Sequence, residues 1–403
     1  MSQTSPRYAL AVAAAALGYF VDLYDIVIFG VVRVASLTEL GITGEANTAW
    51  GIHLLNLQMI GMLIGGFFWG WVGDRYGRRF ALIATITLYS LANIANAFVV
   101  TVEQYALLRL LAGIGLAGEL GAGVTLIAET LPARLRGYGT TVIAFLGLCG
   151  ALTASLTGGE LHWRWAYGLG GGLGLLVLAL RMVVLEESET YRASRESGPP
   201  AWRVHLLNAP TLRRFAAVTL VGVPIWYASA LFVNLAPEYG RLLGFSAPLT
   251  VAQVLMWQAV GLALGSAATG LIGEWLRSRR RVIFVCLWAL AAFVVLLLES
   301  RSAAGYCAVL FLIGLAQGYW TVFITLSAEQ FRTEVRATVA TSVPNLVRAA
   351  VVPVTLGLQA LLPLLGLKTA TLAIGALVIG AALVCLYRLP ETWGQALDQR
   401  PPG

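Results

Sequence analysis

The second half of the chain repeats its first half at an offset of 200 residues. Glycines and charges recur together: Gly70, Gly73, Asp74 and Arg79 match Gly270, Gly273, Glu274 and Arg279, and Ala128, Glu129 and Arg136 match Ala328, Glu329 and Arg336. Two copies of one apolar unit favour a membrane protein made of two pseudo-symmetric halves, as many secondary transporters are. Transport is therefore the leading functional expectation.

The composition indicates an all-α polytopic membrane protein. Hydrophobic residues make up 58% of the 403 residues and charged residues 12%, and the mean hydropathy is +0.78. At about 20 residues per span, the sequence predicts twelve transmembrane helices, near 8–33, 50–73, 79–100, 104–129, 137–160, 163–185, 213–238, 248–274, 281–299, 304–329, 337–363 and 367–388.

The polar stretches divide the chain into four parts. The sequence predicts an N-terminal six-helix bundle over 1–185, a linker over 186–212, a C-terminal six-helix bundle over 213–390 and a tail over 391–403. The linker is polar and of mixed charge. The other connections are short, which leaves no room for a soluble catalytic domain.

The basic residues predict the orientation in the membrane. With both termini inside, 20 of the 27 fall on inner loops and tails, Arg181 among them, and five on outer ends, Arg33 among them; Arg109 and Arg348 lie within spans. This distribution fits the positive-inside rule. We expect a multi-pass cell-membrane protein with cytoplasmic termini, as in a bacterial inner membrane, and no removable signal peptide.

Signals of enzymes and cofactor sites are weak. A GxGxxG pattern from Gly113 to Gly118 lies in an apolar helix with no strand before it, so we expect close helix packing there instead of dinucleotide binding. The three histidines are scattered, and the four cysteines have unrelated spacings. We expect no enzymatic activity, no cofactor and no metal site. Topology explains the net charge of +7, so nucleic acid is not an expected partner.

The segment GWVGDRYGRR, from Gly70 to Arg79, resembles the signature of the major facilitator superfamily between its second and third helices. In the second half, GLIGEWLRSRRR from Gly270 resembles the less complete copy of this signature that the family often has there. LPETWGQALD from Leu389 is similar to the segment that follows the last helix in the sugar porters. The resemblance implies two six-helix bundles that work by alternating access.

Within that superfamily, FVDLYDIVIFG from Phe20 to Gly30 is similar to the first helix of metabolite:proton symporters and of aromatic-acid and phosphate carriers, which have paired aspartates at this spacing. GLAGELGAG around Glu119 and HWRWAY around Arg164 also resemble the metabolite:proton symporters. Two departures weaken other assignments. Ala112 replaces a common glutamine, which weakens a sugar assignment, and the fifth helix lacks the glycine-proline pattern of drug antiporters.

Five charged side chains fall inside predicted spans, where each costs at least about 2.5 to 3.5 kcal/mol unless it has a partner, water or a function. Asp22 and Asp25 share one helical face and favour proton loading; the alternative is that they only satisfy polar neighbours. Arg109 reaches a depth that Asp25 could share, which predicts an ion pair; the alternative is an arginine that extends to the outer interface. In sugar porters, protonating an acid at this position releases such a pair.

The remaining two charges have open alternatives. Glu119 is either a second protonatable site or a polar contact between helices. Arg348, near the midplane, is the predicted substrate residue because a guanidinium binds carboxylate or phosphate bidentately. Its alternative is a structural ion pair with Glu119 or another carboxylate. Asn345, one turn before Arg348, is a predicted second substrate contact.

Further residues are candidates by position alone. Those that could line the cargo cavity are Asn56, Gln58, Trp226, Tyr227, Asn234, Gln253, Trp257, Gln317 and Tyr319. Those that the family resemblance assigns to a cytoplasmic gate are Asp74, Arg78, Arg79, Glu129, Arg136, Glu274, Glu329 and Arg336. For these residues, packing and topology signalling are the competing interpretations.

Together these features predict a proton-coupled symporter that imports a small organic anion such as a carboxylate. Asp22, Asp25, Arg109 and Glu119 would carry the coupling, with sodium as an alternative ion. The expected partners are an anionic small molecule, protons and the lipid bilayer, and a monomer should suffice. Two rival hypotheses are a proton-coupled antiporter that exports a metabolite or drug, and a non-transporting membrane sensor.

Overall fold

The computed structural model describes residues 6–76, 78–119, 133–184, 208–331 and 333–393. The chain divides into two compact units, Met1–Pro199 (unit 1) and Pro200–Gly403 (unit 2). The described residues form helices joined mostly by short turns.

Unit 1 contains six helices in its described residues: α1 Pro6–Glu39, α2 Gly44–Tyr76, α3 Arg78–Asn96, α4 Val102–Leu116, α5 Ala133–Glu160 and α6 Trp163–Val184. Gly41 and Gly44 have positive φ angles of 83° and 64°, which lets the chain reverse within a few residues between α1 and α2. Thr101 begins α4 by accepting the backbone N–H of Gln104.

Unit 2 begins with α7 Ala209–Ala228, which contains Pro224 and continues into a π-helical turn, Ser229–Val233. Its other helices are α8 Ala236–Leu242, α9 Val251–Leu276, α10 Arg279–Leu298, α11 Ala303–Gln317, α12 Trp320–Glu329, α13 Thr333–Ala349 and α14 Val351–Arg388. Gly366, with φ 68° and ψ 167°, divides α14 into two helices.

Each of the twelve predicted spans falls at least partly on described helical residues. By length and composition, eight segments of the described chain could cross a membrane. One of them, Ser342–Arg388, covers most of the eleventh predicted span and all of the twelfth. The predicted third, fourth and fifth spans correspond to α3, α4 and α5, which do not meet that criterion within the described residues. The tenth predicted span is divided between α11 and α12.

The sequence repeat is also a repeat of packing. A Cβ atom on Gly61 would collide with the Leu110 carbonyl of α4, and one on Gly261 would collide with the Phe311 carbonyl of α11. Gly113 lies equally close to the backbone of α2, so the prediction of close helix packing by the GxGxxG glycines is confirmed. The same pair of helices is therefore joined by backbone contact in both units.

Candidate functional site

Unit 1 carries a buried ion pair between α1 and α4. Oδ2 of Asp25 lies 3.0 Å from Nη2 of Arg109, and at most 1% of either side chain is exposed. Gln58 of α2 donates a second hydrogen bond to the same oxygen, at 3.1 Å. The predicted Asp25–Arg109 pair is therefore present, and Arg109 does not extend to an interface.

Aromatic residues hold the guanidinium of Arg109 as well. Its Nη1 donates to the Tyr167 hydroxyl at 3.1 Å, and its centre lies 5.3 Å from the ring of Phe29 and 5.5 Å from that of Tyr167. The Tyr167 and Tyr105 hydroxyl oxygens are 2.6 Å apart. Because the Tyr167 oxygen accepts from Arg109, its own O–H can donate to Tyr105. Asp25 is therefore only one of several anchors for Arg109.

One carboxylate oxygen of Asp25 remains available. Oδ1 is buried and has no hydrogen-bond partner among the described residues. It can take a proton without first displacing Arg109 or Gln58 from Oδ2. Asp22, three residues earlier on α1, is also completely buried. Both predicted aspartates thus lie inside unit 1.

Glu119 belongs to a second buried ion pair. Arg181 of α6 donates a hydrogen bond from Nη1 to Oε1 of Glu119 at 2.8 Å, and its Nη2 lies 2.7 Å from Oε2 without the geometry of a second hydrogen bond. Thr85 of α3 donates to Oε1 at 3.2 Å. Of the two interpretations of Glu119, the polar contact between helices is present, and a part in proton transfer stays a prediction.

Two arginines do not lie where the sequence analysis placed them. Arg181, predicted on an inner loop, is only 2% exposed and lies within α6. Arg33, predicted at an outer end, is 1% exposed because α1 continues to Glu39, and its side chain lies against Gly51. Arg181 stands inside the apolar run LVLALRMVV, and that position, with an intramembrane acid at Glu119, was the signal for the pair.

The missing side chain at Gly18 of α1 makes room for this second pair. A Cβ atom there would collide with Nη2 of Arg181 and would come within 2.9 Å of Oε2 of Glu119. The same Nη2 also donates to the Ala14 carbonyl, at 3.5 Å. Glycine at position 18 therefore lets α1 pack directly on the ion pair.

Unit 2 has a neutral polar cluster where α7 gives way to its π-helical turn. Gln317 donates to the Ile225 carbonyl at 2.6 Å. Gln258 donates to Oε1 of Gln317 at 2.8 Å and to the Ser229 hydroxyl at 3.0 Å. π-Helical turns are frequent at functional sites. Gln317, a predicted cargo contact, is thus part of an ordered amide cluster beside an irregular stretch of helix.

The repeat assigns different chemistry to matching positions. Gln258 is the counterpart of Gln58 at the 200-residue offset. Gln58 donates to the charged Asp25, whereas Gln258 donates to the neutral Gln317. The same scaffold position therefore serves a carboxylate in unit 1 and an amide in unit 2.

Arg348 lies on α13 beside an aromatic ring. It is 1% exposed, and the centre of its guanidinium is 5.6 Å from the ring of Trp226, which is half-buried. Asn345, one turn earlier, is 7% exposed. A guanidinium supplies paired donors for a carboxylate, and an aromatic ring supplies a stacking surface. Three of the predicted cargo residues are thus placed on neighbouring positions of unit 2.

Two predicted cargo contacts have their hydroxyl groups engaged inside unit 2. Tyr227 donates to the Thr371 carbonyl and Tyr319 to the Val221 carbonyl, each at 2.9 Å, and neither tyrosine is exposed. Tyr24 of α1 likewise donates to a carbonyl of another helix, that of Ala166 in α6, at 2.8 Å. Tyr227 and Tyr319 thus connect helices in this structure, and their contact with cargo stays a prediction.

The other predicted cargo contacts do not share one environment. Asn234 donates to the Ser229 carbonyl at 3.3 Å, and Asn56 is buried in α2. Gln253 is exposed in the first turn of α9, and Trp257 is 51% exposed. Their part in binding also stays a prediction.

The predicted gate is described best in unit 2. Arg279 contacts Glu274 at 3.2 Å and Glu329 at 3.1 Å. In unit 1, Arg79 donates to the Met182 carbonyl at 3.3 Å. Glu129 lies outside the described residues, as do the side chains of Asp74, Arg78, Arg136 and Arg336.

The segment after α14 joins this cluster. The carboxylate of Glu391 accepts the Ser278 hydroxyl and the backbone N–H groups of Arg279 and Arg280, the latter two at 3.0 and 3.2 Å. Burial acts to raise the pKa of Glu391, but these hydrogen bonds outweigh it and hold the pKa below its ordinary value. Thr392 donates to Glu329 at 2.6 Å, so the segment contacts the gate directly.

Comparison with known protein families identifies this arrangement. The family model described as Major Facilitator Superfamily matches residues 15–351. The chain belongs to the Major Facilitator Superfamily. The predicted resemblance is confirmed, and the protein is a multi-pass membrane protein and a secondary transporter, not an enzyme.

Individual relatives of the transporter agree with this assignment. A gallate transporter of Pseudomonas putida is 28% identical over 415 residues, which cover 90% of this chain and 89% of the relative. A 3-(3-hydroxy-phenyl)propionate transporter of Escherichia coli is 27% identical over 296 residues, 71% of each chain.

Solved structures bear out the predicted fold. The crystal structure of a D-xylose-proton symporter superimposes with a TM-score of 0.75 at 18% identity, covering 97% of this chain and 100% of the other. At that identity the likeness shows the fold alone. The transporter has the all-α, twelve-helix fold of its superfamily.

Proposed function

We propose that the transporter is a proton-coupled symporter that imports a small organic anion, with aromatic carboxylates as the leading class. The observation that carries this proposal is the buried Asp25–Arg109 pair, whose acid keeps one oxygen available. An ionisable pair inside a membrane bundle is costly to maintain and marks functional positions in membrane proteins.

Proton coupling follows from the two states of Asp25. The ionised carboxylate attracts Arg109 strongly because both groups are shielded from water. A proton on Oδ1 removes the negative charge and weakens the pair. Tyr167 and Phe29 still hold Arg109 in place, so protonation loosens α1 from α4 and leaves the guanidinium on unit 1.

The cargo class is supported by chemistry in unit 2. Arg348 provides donors for a carboxylate, and Trp226, 5.6 Å away, provides a flat apolar surface beside it. Asn345 on the same helix can accept or donate a further hydrogen bond. The two relatives above are named for gallate and for a hydroxyphenylpropionate, which are both aromatic carboxylates.

Transport by reconstituted vesicles tests the coupling. With an acidic exterior and labelled gallate as the probe, we expect accumulation inside the vesicles. Asp25→Asn should abolish accumulation but retain exchange of labelled for unlabelled gallate at equal pH, because exchange needs no net proton transfer. Accumulation that survives in Asp25→Asn would contradict proton coupling through this residue. Accumulation driven only by sodium, or export driven by the pH gradient, would favour the rival ion or the antiporter.

Substitution of Arg348 tests the cargo site. Arg348→Lys keeps the charge but loses the paired donors, so we expect binding of gallate to weaken by about tenfold or more. The matched control is Arg281→Lys, an exposed arginine at the start of α10, which should leave binding unchanged. Equal affinity of Arg348→Lys and the wild type would remove Arg348 from the site.

A further inference from the structure

Helix α3 carries a polar face inside unit 1 that the proposed function does not yet use. Thr85, Tyr89, Asn93 and Asn96 are each at most 1% exposed. At 100° per residue they lie within one side of the helix. Thr85 hydrogen-bonds Glu119 of the second ion pair. The face therefore begins at one buried acid and continues along α3 for three turns.

The two asparagines on this face lack protein partners. Both polar atoms of each side chain, Nδ2 and Oδ1 of Asn93 and of Asn96, are buried without a hydrogen-bond partner among the described residues. In native proteins nearly all buried amide groups have hydrogen-bond partners, because an amide that gives up its hydrogen bonds to water without gaining others destabilises the folded state. Two such amides on adjacent turns indicate a site for a small polar ligand.

Contacts with α4 place this site near the first ion pair. Thr85 lies against Gly118, and Tyr89 against Gly115. The two helices thus run antiparallel, and each turn of α3 towards its end corresponds to one turn back along α4. By this register, the asparagines reach the level of the α4 turn that contains Arg109.

Contacts with α6 lead to the same level. Ser90 lies against Gly174, and Ile94 against Gly171. The next turn of α6 in that direction contains Tyr167, which accepts a hydrogen bond from Arg109. At 100° per residue, Asn93 falls between the line of α3 residues that faces α4 and the line that faces α6.

One residue on the polar face of α3, Tyr89, lies within range of the charges of both buried acids, Asp25 and Glu119. Tyr89 is close enough to Asp25 to be acted on by its charge, as it is by those of Glu119 and Arg181. The polar face of α3 therefore lies between the two ion pairs of unit 1.

Other buried atoms around the first pair also lack partners. Oδ1 of Asp25, Nε of Arg109 and Oε1 of Gln58 have no hydrogen-bond partner among the residues that the structure describes. With the asparagine amides, they offer both donors and acceptors. A ligand that serves all of them must donate and accept, as water does.

The repeat shows that the scaffold does not need these polar groups. At the 200-residue offset, the α10 counterparts of Thr85, Tyr89, Asn93 and Asn96 are Val285, Ala289, Phe293 and Leu296. Val285 and Leu296 are exposed, and the residues that α10 buries are other apolar ones: Val282, Ile283, Leu287, Leu290, Val294, Leu297 and Leu298. Helix packing is thus achieved with apolar residues in unit 2. The polar face of α3 is particular to the unit that carries the ion pairs.

We propose that Asn93 and Asn96 hold a buried water site that carries protons to and from Oδ1 of Asp25. A hydronium ion in this site transfers one proton to Oδ1, which leaves a water molecule and a neutral carboxylic acid; release is the reverse. The amides bind water as donors and acceptors and do not themselves take the proton. This inference rests on the proposed proton coupling and supplies its proton route.

Several titratable or charged groups face Asp25 from the surrounding helices. They are Asp22 and Tyr24 on α1, Tyr89 on α3, Tyr105 and Arg109 on α4, and Tyr167 on α6. The variants below leave all of them unchanged.

Two double variants separate water binding from packing. Asn93→Leu with Asn96→Leu keeps the number and branching of the side-chain heavy atoms but removes the polar groups. Asn93→Ser with Asn96→Ser keeps a hydroxyl and leaves room for water. In vesicles with labelled gallate, we expect the leucine pair to lower pH-driven uptake at least about tenfold, as loss of a proton-transfer group does, and to retain exchange at equal pH. The serine pair should retain both activities.

The control is Ser155→Ala, a buried hydroxyl that donates to the Ala151 carbonyl of its own helix, and it should behave as the wild type. Normal pH-driven uptake by the leucine pair would overturn the water site while the proposed function stands. Loss of uptake and exchange in both double variants would make the asparagines packing residues and overturn it as well. Failure of the wild type itself to respond to pH would overturn the proton coupling and the site together.

Discussion

Arg181 and Glu119 show how single residues make a buried charge tolerable. A buried ion pair needs good geometry and satisfied lone pairs, or its desolvation outweighs the attraction. Here Arg181 contacts both oxygens of Glu119, Arg181 and Thr85 donate hydrogen bonds to Oε1, and Gly18 leaves the space. Removing any one of these should cost stability even though the charges remain.

We predict that Gly18→Ala destabilises unit 1. The new Cβ would displace the guanidinium of Arg181, and overpacking of this kind costs about 1–3 kcal/mol. Thermal unfolding of the purified protein should show a lower midpoint than the wild type. The control is Gly168→Ala on α6, where a Cβ meets nothing within 4 Å; there the midpoint should stay or rise slightly. Equal midpoints for Gly18→Ala and the control would show that the pair does not depend on Gly18.

At the scale of helices, the segment after α14 acts as a cap for α10. The first N–H groups of a helix have no partner within it, and a carboxylate placed there satisfies them and complements the helix dipole. Glu391 does this from a distant part of the sequence, since α10 begins at Arg279. The start of α10 is therefore held by the residues that follow α14.

We predict an acid-dependent loss of stability from Glu391. Its pKa is lower in the folded protein than in the unfolded chain, so the folded state binds fewer protons. The stabilisation is present above the unfolded pKa and is lost as the pH falls through the folded pKa. Glu391→Gln should therefore lower the thermal midpoint at pH 7, by the equivalent of about 1 kcal/mol for a lost cap, and the difference should shrink below about pH 4.

The matched control is Glu299→Gln. Glu299 also has a lowered pKa, because Lys368 hydrogen-bonds it, but it is solvent-exposed at the end of α10. Exposed ion pairs contribute little, so its midpoint should remain near that of the wild type at every pH. A pH-independent difference between Glu391→Gln and the wild type would mean that the carboxylate charge is not what caps α10.

At the scale of the whole molecule, the distribution of basic residues predicts which ends of the helices face the cytoplasm. The four native cysteines are free and can be replaced before single cysteines are introduced. In intact cells, an impermeant maleimide should label Thr43→Cys, exposed between α1 and α2, but not Ser197→Cys in the predicted linker. The reverse pattern would invert the topology and contradict cytoplasmic termini.

Much of this architecture could be predicted from the sequence because apolar length, repeated glycines and charge distribution are local signals. The Asp25–Arg109 pair was also predictable, since both charges stand alone in apolar spans. The role of Arg181 was not predicted although it stands inside an apolar run, because an arginine near the end of such a run is also what the positive-inside rule leads one to expect. Hydroxyl partners, such as the Thr371 carbonyl for Tyr227, depend on helix rotation that no spacing specifies.

The π-helical turn Ser229–Val233 has a consequence for how this chain tolerates changes of length. Such a turn contains one residue more than a regular α-helical turn. Deleting one residue there would restore regular α-helical hydrogen bonding in this turn. The residues after it would, however, rotate by about 100° about the helix axis. Tyr239, whose hydroxyl lies 2.5 Å from that of Thr371, would then point away from its partner. The extra residue therefore sets the rotation of the residues that follow it. A deletion at this position would make the helix more regular but would break the contact between Tyr239 and Thr371.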